Sequence, residues 1–154
     1  MNEPNELRLE RTMDAPVDAV WRAWTEHGSE WFCPRPCKAE IVEQDLRPGG
    51  RSAMVMQGPD GEENHLEGVF LEVVPGERIV STDALAAGWS PQGPFMVRID
   101  AFEDLGDGRT RYTAIARHWT AEAKAGHEAM GFETGWGTAA DRLEEVAKRL
   151  AGAI

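Results

Sequence analysis

Residues 38–117 leave a folding chain few choices. Apolar alternation recurs in KAEIVEQDL, RSAMVMQ, HLEGVFLEVV, RIVSTDALA, FMVRIDAFEDL and TRYTAIARHW. The runs are separated by RPGG at 47–50, GPDG at 58–61, Pro75-Gly76, AGWSPQGP at 87–94 and LGDGR at 105–109. Glycine, proline and aspartate turn a chain sharply. None of these connections has room for the crossover that parallel strands require, so consecutive strands run antiparallel. A further strand is predicted at 6–13, where Leu7, Leu9 and Met13 lie to one side and charges to the other.

Helical spacing appears on both flanks of that block. In PVDAVWRAWTEH, Val17, Val20, Trp21 and Trp24 share one face. Pro16 suits the first helical position, and Gly28 is expected to end the helix. A short helix or turn around SEWF is stopped by Pro34 and Pro36. The last segment is predicted as one helix from Thr120 to about Leu150, capped by Thr120. Its stripe is Phe132, Trp136, Ala139, Ala140, Leu143, Ala147 and Leu150. About 30 helical residues span roughly 45 Å, enough to cross several strands. The expected fold is α+β: one domain over residues 1–154, with a curved antiparallel sheet of about seven strands. Two short helices follow the first strand, and the long C-terminal helix lies over the concave face.

That last helix carries an anomaly. MGFETGWGTAADRLEEV at 130–146 holds Gly131, Gly135 and Gly137, and each glycine costs a helix interior about 1 kcal/mol against alanine. Gly131 and Gly135 are one turn apart, beside Phe132 and Trp136. Such a flank either lets a strand backbone approach closely or leaves space walled by aromatics. Ser52, Met54 and Met56 share one strand face, and methionine suits an adaptable binding surface. The combination points to a pocket.

Net charge is −11, with the basic residues scattered. Phosphate backbones and anionic membranes are poor partners for such a chain. No apolar run approaches membrane-spanning length, and the N-terminus lacks a signal-peptide pattern. The expected compartment is the cytoplasm. Cys33 and Cys37 are then expected to be free thiols, and their spacing matches no metal finger. Neither metal nor cofactor is expected. The oligomeric expectation is a monomer or homodimer.

The chain resembles the START/Bet v 1-like (SRPBCC) helix-grip superfamily, in the AHSA1-like branch related to the C-terminal domain of the Hsp90 ATPase activator. The matching pieces are DAPVDAVWRAWT at 14–25, DLRPGG at 45–50, GPDGEE at 58–63, GVFLEVVPGERIV at 68–80 and MGFETGWGTAADRLE at 130–144. They cover nearly the whole chain in the family's order. WFCP departs from the family's WW-x-P, with Phe32 and Cys33 in place. The resemblance implies a long helix gripped by the sheet and, in many members, a central cavity. It also implies contact with an Hsp90-type chaperone as one functional reading.

Three readings follow. The leading one is binding of a small hydrophobic or aromatic ligand by Trp31, Met54, Met56, Trp119, Phe132 and Trp136. The second is the chaperone-interaction module. The third is a cyclase- or hydrolase-like enzyme using the same cavity. There His118 is the candidate base, with Arg117, Glu67 and Asp45 as polar neighbours and His127 either joining His118 or facing water. Fold alone does not select among them. Trp89, among Gly88, Pro91 and Gly93, reads as a lid or a loop anchor.

Overall fold

The computed structural model describes residues 5–32, 37–93 and 95–152. In chain order the elements are β1 (Glu6–Met13), α1 (Val17–Glu26), α2 (Gly28–Trp31), β2 (Lys38–Gln44), β3 (Arg51–Gln57), β4 (Glu63–Val74), β5 (Arg78–Thr82), β6 (Leu85–Ala86), β7 (Ser90–Pro91), β8 (Val97–Gly106), β9 (Arg109–Arg117), α3 (Ala121–Ala129) and α4 (Phe132–Gly152). Seven strands form one sheet in the order β1-β9-β8-β5-β4-β3-β2. Every pairing in it is antiparallel. The small β6–β7 ribbon stands apart, within the loop that joins β5 to β8. Strand order from β2 to β9 thus follows the antiparallel connections along the chain. β1 joins the far edge beside β9, and α1 and α2 carry the chain back across to β2 at the other edge.

Strand register puts one continuous row of side chains on the helix-covered face. Leu7 and Leu9 lie opposite Ala116 and Ala114, Asp100 and Phe102 pair with Ala114 and Tyr112, and Arg98 pairs with Ser81. Farther along, Ser52 and Met54 lie opposite Gly68 and Leu66. The two ends of this face differ. At the β1–β9–β8 end, Leu7, Leu9, Phe102, Tyr112 and Ala114 join Val20, Ala23 and Trp24 of α1 and Ala140, Leu143 and Ala147 of α4 in a dry core. Burying each Leu, Val or Phe there contributes about 1.5–3 kcal/mol. α4 packs on α1, α2 and β1, which leaves the β3–β4 end less covered.

Several local expectations need correction. Helix α1 begins at Val17, with Pro16 outside it as the extended cap residue whose carbonyl accepts from Ala19 and Val20. Gly28 does not end α1; it opens α2 after His27. Cys37 is disulfide-bonded rather than a free thiol, and Cys33 lies outside the described residues, as do Pro34 and Pro36, the expected stop of the short helix. Among the described residues, no helix is long and apolar enough to cross a membrane.

The largest correction concerns the terminal helix. It is two helices, not one of about 30 residues. Thr120 caps the first as expected, accepting from the Ala123 amide at 3.0 Å. Gly131 then takes φ +97° between α3 and α4. That is left-handed territory where side chains strain the backbone. Its carbonyl still accepts the first α4 bond, from Gly135 at 2.8 Å. The 21 residues of α4 span about 31 Å. The glycines thus have separate reasons. Gly131 makes the break. Gly135 faces open space, where an added Cβ meets nothing within 4 Å. Gly137 admits the Arg11 guanidinium, 2.9 Å from such a Cβ. Two substitutions separate the first two roles. Gly131→Ala should destabilise by about 1–2 kcal/mol despite the open space around it, because φ is wrong for alanine. Gly135→Ala should stabilise by about 1 kcal/mol; denaturant unfolding measures both.

Candidate functional site

Between the first turns of α4 and the β2–β5 end of the sheet lies a hollow of about 810 Å³. The sheet supplies its floor. Met54 and Met56 of β3, Leu66 and Phe70 of β4 and Ile41 of β2 face it. The helices supply Trp24, Trp31, Phe132, Gly135 and Trp136. Phe95 and Met96 come from the loop before β8. That loop is tied down by Asp83, whose Oδ1 accepts from the amides of Phe95 and Met96 at 2.7 and 3.1 Å. Gln92 adds bonds to the carbonyls of Glu67 and Asp83. The indole N–H groups of Trp24 and Trp31 are buried without an acceptor among the described residues.

Five of the six residues named from the sequence line this space: Trp31, Met54, Met56, Phe132 and Trp136. Trp119 does not; it is 53% exposed, because the chain turns outward between β9 and α3. Trp89 is also exposed, and its ring lies against Gly49 of the β2–β3 turn, which makes it a loop anchor on that turn.

The polar grouping expected around His118 does not assemble. Glu67 forks onto Arg51 at 2.8 and 2.9 Å, which holds its carboxyl below the usual range. Asp45 pairs with Arg47 at 2.7 Å, and Arg117 with Glu6 at 3.1 Å. His118 is buried and is not part of the lining. Its Nδ1 lies 2.9 Å from the Phe95 carbonyl, and its Nε2 lies 2.9 Å from Nδ1 of His127. His127, unlike His118, lines the hollow, as does His65 of β4. Burial, the adjacent His118 and the Arg98 charge push the His127 pKa down to about 4.

The strongest electrostatic feature escapes a reading of the sequence. Arg98 Nε and Nη2 donate to Asp100 at 2.8 and 3.1 Å, and Tyr112 donates to the same carboxylate at 2.5 Å. Asp100 is 0% exposed. The Arg98 guanidinium lies 4.3 Å from the Trp136 ring centroid and 5.1 Å from that of Phe32, a cation–π arrangement. Burial opposes the Arg98 charge, but Asp100 and Tyr112 outweigh that and the net direction is upward. Burial raises the Tyr112 hydroxyl well above its ordinary range, and Asp100 adds to that, so Tyr112 stays a donor. Among the described residues, no group of three or more His, Cys, Asp or Glu is placed to hold a metal ion.

A curved antiparallel sheet gripping a C-terminal helix defines the helix-grip class. The family described as Activator of Hsp90 ATPase homolog 1-like protein matches residues 14–148, and the chain belongs to it. A protein of known structure from Nitrosomonas europaea is 38% identical, with 99% of this chain and 100% of that chain covered and a TM-score of 0.93. One from Chromobacterium violaceum is 25% identical, with 93% and 97% covered and a TM-score of 0.76. The AHSA1 protein from Silicibacter pomeroyi shares the fold at 21% identity, with 95% and 97% covered and a TM-score of 0.66. No curated protein matches the chain.

Two measurements check the electrostatics. Arg98→Met leaves Asp100 buried without its cation and should cost about 3–5 kcal/mol; Arg98→Met combined with Asp100→Leu should recover most of that. Urea unfolding of the two variants decides it. His127 supplies the pH dependence. Between about pH 6.5 and 4 the unfolded chain binds a proton there that the folded chain refuses. Its contribution is whole above pH 6.5, is lost as pH falls toward 4, and changes no further below. The unfolding midpoint of wild type should therefore drop more across that window than the midpoint of His127→Gln.

Proposed function

We propose that this protein binds a small hydrophobic or aromatic molecule in the hollow between α4 and the sheet. The observation that carries the reading is an open volume of about 810 Å³ walled by Trp31, Met54, Met56, Leu66, Phe132 and Trp136. Sites for small organic ligands fall in the range of roughly 300–1,000 Å³ and are lined mainly by apolar and aromatic groups. Two details support it. Gly135 keeps the helix flank bare where a side chain would project into the space. The methionines opposite offer flexible, polarizable contacts that adapt to ligand shape. Hsp90 ATPase activation is the property of the protein that gives the family its description.

The test is a fluorescence titration with N-phenyl-1-naphthylamine, a neutral aromatic probe that brightens in apolar surroundings. Wild type should bind it saturably. Gly135→Leu, which fills the hollow from the helix side, should weaken binding about ten-fold or more while keeping the folded circular-dichroism spectrum. Equal binding by wild type and Gly135→Leu would place the probe elsewhere and remove the reading.

A further inference from the structure

The histidine pair fixes a chemical preference inside the hollow. A carbonyl oxygen only accepts, so the hydrogen between His118 Nδ1 and the Phe95 carbonyl, 2.9 Å apart, belongs to His118. A neutral imidazole carries one hydrogen, which leaves His118 Nε2 with a bare lone pair. His127 Nδ1 lies 2.9 Å from that lone pair and must donate to it. By the same count, His127 Nε2 is then bare. His127 lines the hollow, and its second nitrogen is an acceptor set among the aromatic rings of Phe95, Phe132 and Trp136.

The ring is held in that orientation. Phe95, Phe132 and Trp136 stand edge-on around it at centroid distances of 4.8, 5.3 and 5.6 Å. Turning the ring over would break the bond to His118. Just past β9, the backbone amide of His118 donates to the Asn5 carbonyl at 2.9 Å, which anchors the far end of the relay. The charged and titratable groups facing His127 are His118 and Arg98, and Arg98 is already matched by Asp100. His127 is neutral at pH 7, so it offers a lone pair and no cation for an acidic ligand.

We propose that His127 Nε2 is a hydrogen-bond acceptor at the aromatic end of the hollow and selects flat apolar molecules that carry a hydroxyl or N–H donor. The assignment rests on the hollow being a ligand site. A bare lone pair among aromatic rings makes a donor-bearing ligand better than its capped analogue by the worth of one neutral hydrogen bond, about three- to ten-fold in affinity.

Two experiments test it. Two-bond proton–nitrogen correlation spectra of uniformly ¹⁵N-labelled protein at pH 7 report histidine tautomers without any ligand. Both His118 and His127 should carry hydrogen on Nδ1, the opposite of the form that free imidazole side chains prefer in water. A hydrogen on His127 Nε2 overturns the proposal outright. Calorimetric titration then compares 2-naphthol with 2-methoxynaphthalene. Wild type should bind 2-naphthol about three- to ten-fold more tightly, and His127→Phe should bind the two alike. Equal affinity in wild type overturns the acceptor role and leaves the hollow as an apolar site. Binding of neither compound removes the ligand reading and this proposal together.

Discussion

Asp100 carries a carboxylate to a place sealed from solvent, and much of the structure answers to that. An unpaired charge there would cost several kcal/mol. Arg98 meets it with two bonds from the same strand, and Tyr112 adds a third from β9. The pair divides the covered face of the sheet. On the β9 and β1 side, Phe102, Ala114, Leu9 and Leu143 close into a packed core. On the β5, β4 and β3 side, Ser81, Leu66, Met54 and Met56 border open volume. Arg98 stands at the seam, its far side stacked beneath Trp136 and beside Phe32. The same ion pair therefore orients an aromatic wall of the hollow and terminates the core.

The break at Gly131 does comparable work at the helix level. One continuous helix from Thr120 would carry His127 along a single axis with Trp136. The left-handed glycine instead sends α3 and α4 in different directions. His127 on α3 then meets Phe132 and Trp136 on α4, and the loop residue Phe95 closes on it from the sheet side. Membership in a family with a shared helix-grip scaffold fixes the scaffold and leaves this lining to each chain's own side chains.

Where sequence reasoning went astray, the cause is identifiable. In FMVRIDAFEDL, Val97, Ile99 and Ala101 alternate as cleanly as a core face, yet the buried residues are Asp100 and Phe102 on the other parity. Periodicity weighs polarity and cannot register that Arg98, Asp100 and Tyr112 satisfy one another across two strands. His127 sits in AEAKAGHEA, a polar stretch that reads as a solvated helix; its burial depends on Phe95, His118 and Trp136, all remote in the chain or on other elements. Trp119 stands between β9 and α3, and an element end points outward as readily as toward a pocket; here it is exposed.

Local chemistry alone determined the strand and helix segments, the antiparallel connections, the Thr120 cap and the Met54–Met56 face. Each of these depends on neighbours within a few residues, where turn geometry and side-chain period act directly. Tertiary structure alone decided which sheet face is covered, that the terminal helix bends at Gly131, that Cys37 is bonded, and that Arg98, Asp100, His118 and His127 sit together. Those outcomes are balances between burial and pairing among residues far apart in sequence, and no local pattern carries the energy of a partner that has not yet arrived.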